Sequence, residues 1–485
     1  MAQADVVIVG GGPTGLFLAS ELALFGLRVT VLERRPAHVD QPRALGFHCR
    51  TLEVLELRGL GQRFLDRAIG TLPVAFFASL ETHLDLSSLD TVYPMGVLIP
   101  QTVTEALLEE RALEMGVDVR RGWKVEEVHQ AADGVHVTGT NADGAFECAA
   151  PWLVGADGSR SIVRTRCGIG FPGHHATKSF VQAHVKMTKI QVEGTFSRET
   201  KEGSVLATAL RDGTYRIVFI DPSRFSVPVS EPVTLEEIQE SVHRMIDPSV
   251  TISEPGWLTR FGNETRLADH YRKGRVFLAG DAAHIHLPAG GQGMGTGIQD
   301  ALNLGWKLAS VLRGNAPEAL LDSYEREHHP VGKMVTENTL AQGAVITTLG
   351  PEGDALRWLI NDFLKVPEAN RRIAEMITAM GVTYPEPLID GHEVGAPEYV
   401  GRRVTNFELR LADGEVTKLY GFLRRGNWLD LRIDPGTTAC PLPPGIAERW
   451  VETQTATPTD DRSFLRKLSS VLIRPDGYVA LARAR

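Results

Sequence analysis

The stretch "DVVIVGGGPTG", residues 5–15, decides the fold. An apolar run from Val6 to Val9 enters Gly10-x-Gly12-x-x-Gly15, and Leu16, Ala19, Leu22 and Ala23 then fall on one face of a helix. A strand this uniformly apolar is one covered on both faces, as in a parallel sheet. Gly26 stands where a helix C-cap belongs. "LRVTVLE", residues 27–33, then brings the chain back as a second strand ending on Glu33. The unit is βαβ.

The spacing of the glycines has a physical reading. Gly10 permits the tight turn, Gly12 lets backbone approach a pyrophosphate, and Gly15 lets helix and strand pack closely. The helix beginning at Pro13 and Thr14 offers free N–H groups and the positive end of its dipole to phosphates. Glu33, 18 residues after Gly15, can accept hydrogen bonds from a ribose diol. Together these features point to a bound dinucleotide, and alone they do not separate NAD from FAD.

Two further strand-end motifs make the separation. "LVGADGSRSIVR", residues 153–164, puts Asp157-Gly158 after an apolar strand, with Arg160 and Arg164 following. "VFLAGDAAHIHLPAGGQGMGTG", residues 276–297, puts Gly280-Asp281 after another strand and leads through a glycine-laden loop into a helix. One long ligand explains all three turns, whereas a nicotinamide nucleotide on one βαβ unit gives no reason for the third. Each turn read alone also has a structural reading, and Arg160 and Arg164 are equally surface or salt-bridge arginines.

Working outward, "RRPAHVDQPRALGFHCRTLEVL", residues 34–55, is irregular, and residues 97–116 read as a strand end and an amphipathic helix. Residues 117–158 alternate strands with Asp-Gly turns, as an antiparallel meander closing on "WLVGADG" does. Residues 172–270 are dominated by strands such as "SFVQAHVKM" and "TYRIVFID". A helix beginning near Gly295 should carry Ile298, Leu302, Gly305, Leu308 and Leu312 on roughly one face. Helical sequence continues to about residue 380, and residues 395–485 read as a small α/β segment.

A chain of 485 residues exceeds one ordinary core, so two or three domains are expected. The net charge of −9 argues against a nucleic-acid binder. No apolar run reaches the length of a membrane span, and the N-terminus lacks the basic and apolar regions of a secretory signal. Cys49, Cys148, Cys167 and Cys440 are far apart with no CxxC, as expected of reduced thiols in a cytoplasmic protein without a metal site.

These motifs, in this order and over nearly the whole chain, resemble the single-component FAD aromatic hydroxylases of the para-hydroxybenzoate hydroxylase class. "HLPAGGQGMGTGIQDALNLGWKL", residues 286–308, is most similar to the hydroxylases of aromatic polyketides such as angucyclines and anthracyclines. "RPDGYVA", residues 474–480, is similar to the thioredoxin-like C-terminal domain of that subgroup. The resemblance implies an α/β architecture. A discontinuous Rossmann-like FAD-binding domain spans residues 1–171 plus 272–390, a substrate-binding β-sheet domain residues 172–271, and a thioredoxin-like domain without CxxC residues 391–485.

The resemblance also implies roles. Glu33 binds the adenosine ribose, Arg34 and Arg43 lie near adenine or pyrophosphate, Gln101 contacts the ribityl and phosphate part, and Val125 offers backbone at the adenine. Asp157 and Arg164 brace FAD and the approach of the nicotinamide. Gly280 and Asp281 meet the ribityl chain. Pro288, Gly291, Gln292, Gly293 and Met294 run along the isoalloxazine edge, with a helix N-terminus aimed at its N1–C2=O side. FAD is held tightly and non-covalently, NADPH or NADH is a transient reductant without its own fingerprint, and O2 is co-substrate. A flavin C4a-hydroperoxide would hydroxylate a phenolic, polyketide-like substrate. Phe47 and His48 pass near the ring by resemblance. Gln182 and His184, which alternate with apolar neighbours, could face the pocket. No side-chain base is assigned, no partner protein, nucleic acid or membrane is implied, and the chain is a monomer or homodimer. Baeyer–Villiger, epoxidising or antibiotic-inactivating oxygenases share every motif, and a non-catalytic FAD- or ligand-binding protein is the rival of another class. A flavin halogenase is disfavoured, because "PGWLTRFG", residues 255–262, holds a single tryptophan where that class has a tryptophan-rich motif.

Overall fold

The computed structural model describes every residue except 1–3, 39–40, 42, 191–193, 211, 385–387, 389–394, 435 and 462. The strand Val6–Val9 is buried throughout and sits inside a six-stranded sheet. On one side of it lie Val29–Glu33 and then Asp118–Arg121, and on the other Trp152–Gly155 and then Val276–Leu278, all parallel. Arg272–Lys273 closes the edge antiparallel. The register pairs Val6 with both Val29 and Trp152, so the strand ends finish level.

The helix Pro13–Leu24 starts with proline in its first turn, where the missing N–H costs nothing. Gly26, with φ +74°, ends it by donating to the Ala23 carbonyl at 2.8 Å. The expected meander is narrower than the sequence suggests. Lys124–Gln130, Val135–Asn141 and Gly144–Ala150 form it, but Asp118–Arg121 joins the parallel sheet. Local alternation could not reveal this, because that strand's partner lies some 90 residues upstream.

The helix Gly293–Leu312 departs from the one-faced pattern: from Gly295 to Ser310 every residue is buried. Glycines make room for its neighbours. A Cβ at Gly297 would lie 2.3 Å from Thr14 Oγ1, and one at Gly305 would lie 2.7 Å from Glu21 Cβ. The helix therefore presses onto Pro13–Leu24 while Asp322–Thr347 covers another side.

Residues 179–262 carry a second, five-stranded antiparallel sheet, with Ser179–Met187 between Tyr215–Ile220 and Ile252–Gly262. One face, with Val181, Ala183, Val185, Ile217 and Phe219, packs on the helix Leu235–Met245 through Ile238, Val242 and Met245. Strand patterns dominate the sequence here, and this helix interrupts them. The overlooked signal is Thr234-x-x-Glu237, a capping box, whose threonine accepts the Glu237 N–H at 3.2 Å.

The C-terminal residues form a six-stranded mixed sheet whose centre is Trp428–Arg432 parallel to Val451–Pro458 and antiparallel to Leu468–Ile473. The helices expected of an α/β segment are reduced to 3-10 turns among the described residues after 395. The crossover between the parallel pair carries Pro441, Pro443 and Pro444, which remove helix donors. This sheet shares its core with the first one: Trp428 meets Trp306 edge-on at 5.5 Å. The "RPDG" turn bolts it down. Buried Arg474 bridges Glu327 at 2.7 Å and Asp476 at 2.6 Å, and Asp476 accepts the Trp306 indole N–H at 2.9 Å. No helix among the described residues is long and apolar enough to cross a membrane.

Candidate functional site

The parallel order brings the sequence motifs together. Gly10 follows Val6–Val9, Glu33 ends Val29–Glu33, Asp157 follows Trp152–Gly155, and Asp281 follows Val276–Leu278. These four strands are consecutive in the sheet, so all four motifs lie along one carboxyl edge, where open α/β sheets bind ligands.

The glycines can be tested one by one. A Cβ on Gly10 would lie 2.2 Å from the Ala156 carbonyl oxygen, and one on Gly15 would lie 2.0 Å from that of Gly10. Both are packing glycines. A Cβ on Gly12 would meet nothing within 4 Å, so its backbone borders open space at the helix N-terminus. Glu33 accepts the Gly11 N–H at 2.7 Å and the Arg35 N–H at 2.9 Å, one per oxygen, which leaves lone pairs for further donors. Arg34 and Arg43 are exposed. Gln101 is tied locally: its carbonyl accepts the Ala44 N–H at 3.1 Å and its amide donates to Glu105 at 2.7 Å. Val125 is buried in the meander.

Asp157 turns its carboxylate to the helix behind it. Its oxygens accept the Ser161 hydroxyl at 2.5 Å and the Ile162 N–H at 2.7 Å. Burial pushes its carboxyl up while these donors pull it down. Arg164 is buried and spans two loops, donating to the carbonyls of Ala282 at 2.8 Å and Ser159 at 2.9 Å, with its guanidinium 3.6 Å over the Phe171 ring. Arg160 is exposed.

Gly280 has φ +63°, and a Cβ there would strike Thr14 Oγ1 at 2.7 Å, so the first and third motifs touch. Asp281 is open to solvent on one side, yet enough protein surrounds it that burial pushes its carboxyl up, with His284 and Arg43 pulling it down. Behind it lies a buried cluster that the sequence reading missed. Asp300 accepts the Gly280 N–H, His284 and His328, and His328 reaches the Tyr384 hydroxyl at 2.8 Å. Burial would raise the Asp300 carboxyl, but the two imidazoles overcome it and hold it well below the usual carboxylate range. Asp300, His284 and His328 come from three separate elements, so no local pattern in the sequence pairs them.

The loop Pro288–Met294 is backbone-rich, with Pro288 and Gly291 exposed and φ +71° and +65° at Gly290 and Gly291. His48 Nε2 donates to the Gly290 carbonyl at 2.6 Å, which leaves Nδ1 an acceptor, buried and without a partner among the described residues. Burial lowers its pKa. His48, Thr51, Gly291, Gln292 and Gly295 border a small cavity, and the buried Gln292 Oε1 is likewise unpartnered. His286, beside Gly293, is lowered to about 4 by burial and stays neutral. Gly293 and Met294 open the long helix, whose N-terminus faces this loop.

Above the loop stands the second sheet's other face. Gln182 and His184 lie on it, directly opposite Val218 and Arg216 on one neighbour and Thr259 and Trp257 on the other. Arg216 donates to Gln182 Oε1 at 2.8 Å and to the Arg43 carbonyl, and burial lowers it to about 10. With Gln182 Oε1 fixed by Arg216, the amide Nε2 is buried and unpartnered among the described residues. Phe180 and Phe225 close this face onto Leu287. Phe47 is not in this group: its ring packs edge-on against Phe64 in the main core. Its two-residue strand turns it inward, a direction the resemblance alone did not give. Among the described residues no group of three or more metal-ligating side chains is placed to hold an ion.

The open backbone at Gly12, the outward Asp281 and the glycine loop fit an extended dinucleotide. The comparisons with known proteins agree. The FAD binding domain family matches residues 3–339, and the C-terminal family of aromatic-ring hydroxylases matches residues 397–485. An uncharacterised aromatic compound monooxygenase of Bacillus subtilis is 40% identical over 486 residues, covering 99% of this chain and 95% of its own. A rifampicin monooxygenase of Streptomyces venezuelae is 39% identical over 482 residues, with 99% and 95% covered. The solved anhydrotetracycline hydroxylase of Streptomyces rimosus superposes with a TM-score of 0.86 at 38% identity, covering 99% of this chain and 96% of that one. With these matches and this geometry, the chain belongs to the FAD-dependent aromatic-ring hydroxylases, an enzyme family of monooxygenases.

Proposed function

We propose that the chain hydroxylates a phenolic, polycyclic, polyketide-like substrate, using NADPH or NADH as reductant and dioxygen as oxidant. In balance, a ring C–H, O2, NAD(P)H and a proton become a ring C–OH, water and NAD(P)+. Bound FAD supplies the acceptance of hydride and the activation of dioxygen; the protein supplies position, dryness and charge.

The turn Gly10–Gly15, with Pro13 and Thr14, takes the pyrophosphate at a helix N-terminus. Glu33 takes the adenosine ribose through its remaining lone pairs. Arg34, Arg43, Gln101 and Val125 line the adenine and phosphate side, and Asp157 acts through the loop it caps. Asp281 accepts from ribityl hydroxyls. Pro288, Gly291, Gln292, Gly293 and Met294 follow the ring edge, where the N-terminus of Gly293–Leu312 favours negative charge on the reduced ring. The substrate lies between this loop and the sheet face of Gln182, His184 and Arg216. His48 holds the loop through Gly290 rather than acting as a base. The division into residues 1–171 plus 272–390, 172–271 and 391–485 follows from these roles. The last part is a thioredoxin-like sheet that has lost its helices, a reading supported by its parallel central pair. Its Cys440 has no second cysteine in a CxxC, and burial pushes the thiol up to about 11, which supports a structural part rather than thiol redox work.

One observation carries the substrate reading: a polar and aromatic sheet face, with a buried unpartnered Gln182 amide, stands over the glycine loop. The test is the visible spectrum of the purified protein, then NADPH oxidation in air with a panel of polycyclic phenols. A yellow protein whose NADPH use rises with one phenol, giving a product heavier by one oxygen, is expected. Product structure then separates hydroxylation from Baeyer–Villiger, epoxidising or antibiotic-inactivating insertion. A protein that takes up no FAD, or one that oxidises NADPH regardless of any phenol, rejects the proposal.

A further inference from the structure

Gly280 and His284 bracket the turn that presents Asp281, and a single atom holds both. Asp300 Oδ2 accepts the Gly280 N–H at 2.8 Å and the His284 Nε2–H at 2.8 Å. The other oxygen accepts the His328 Nδ1–H at 2.6 Å, and His328 Nε2 meets the Tyr384 hydroxyl at 2.8 Å. Inside the bracket Ala282 and Ala283 are fully buried, and Asp281 opens outward. From the far side Arg164 holds the Ala282 carbonyl.

The clamp rides on the same helix that faces the glycine loop. Gly293 starts that helix and Asp300 stands seven residues along it, about 10 Å by helical rise. One rigid element therefore fixes both the N-terminus beside Gly291 and the turn of Asp281. A carboxylate suits the post because it only accepts, and three donors converge on it. Tyr384 anchors the outer end: its ring lies 4.3 Å from that of Tyr478, in the C-terminal sheet's "RPDGY" turn. The chain of contacts thus runs from the C-terminal sheet to the Asp281 turn.

We propose that Asp300 is a positioning residue for the cofactor: by clamping both ends of the 280–284 turn, it keeps Asp281 in one place relative to the N-terminus of Gly293–Leu312. The proposal rests on the flavin reading above. Asp300→Asn keeps the shape but turns an NH2 toward a donor. Its FAD dissociation constant should rise roughly ten- to a hundredfold, measured by flavin fluorescence. In the flavin-free full-length variant, deuterium uptake over residues 278–286 should rise, and the FAD-induced gain in melting temperature should shrink. A merely structural role would lower the melting temperature with and without FAD alike; that result, or wild-type FAD affinity, overturns the proposal. If Asp300→Asn fails to fold, Tyr384→Phe removes only the outer hydroxyl. There roughly a two- to tenfold loss of FAD affinity is expected, and wild-type affinity overturns the proposal. If the wild-type chain takes up no FAD, the flavin reading has failed, and deuterium uptake over 278–286 in Asp300→Asn still decides the clamp.

Discussion

The carboxyl edge of the parallel sheet and the polar face of the antiparallel sheet are built from opposite materials. At the first, backbone does the binding, and glycines mark where it must pass: Gly10 and Gly15 because a Cβ would strike backbone, Gly12 because its surface must stay open. At the second, proposed above for the substrate, side chains supply the polar groups. Gln182, His184, Arg216 and Trp257 come from three strands and meet only through register. A backbone site tolerates almost no substitution, while a side-chain site can be retuned one residue at a time. One scaffold can thus keep its cofactor and change its substrate.

The comparison can be broken at four points. Gly15→Val should have the largest effect, since the new side chain begins 2.0 Å from the Gly10 carbonyl oxygen. A loss at or above the ~3 kcal/mol top of the overpacking range is expected, with flavin absent from the purified protein. Denaturant unfolding and the visible spectrum measure both, and a yellow, stable variant would mean the fingerprint is not where the cofactor lies. Asp281→Ala should weaken FAD retention by the ~1.5–3 kcal/mol of a charge-assisted hydrogen bond while leaving the fold intact. Dialysis followed by flavin titration reads it, and wild-type retention would remove Asp281 from the site.

Arg216→Leu should act on the other side alone. Flavin content should hold, while KM for the responsive phenol rises roughly tenfold, as expected for one hydrogen bond to a charged group. Loss of flavin instead would mean that Arg216 serves the cofactor through the Arg43 segment, and the two regions would not be separable. Cys440→Ser should do least. The thiol donates to Ser470 at 3.4 Å, and its replacement is expected to cost about 1 kcal/mol or less and to leave NADPH oxidation unchanged. A loss of activity would give the C-terminal sheet a chemical role.

Glycine punctuation at strand ends is a local signal, because it reports what the backbone must do at that residue. So Gly10, Gly12, Gly15, Gly280 and Gly291 could be picked out in the sequence, with Glu33 and Asp281 beside them. The face proposed for the substrate was half legible: alternation placed Gln182 and His184 on one face but could not name Arg216, which stands opposite His184 from 32 residues away. The packing of Phe47 on Phe64 was not legible, because the direction of a side chain on a two-residue strand depends on what packs behind it. The helix Leu235–Met245 was signalled by its cap and passed over among strands.

By itself, then, the sequence determined the βαβ unit, the glycine turns and the order of the motifs, since each follows from steric rules acting over a few residues. Only the tertiary structure decided that Asp118–Arg121 joins the parallel sheet, that Asp157 spends its carboxylate on a cap, and that Asp300, His284 and His328 meet beneath Asp281. Those outcomes depend on which distant groups are buried together, where an unpaired donor or carboxylate is costly and must find its partner.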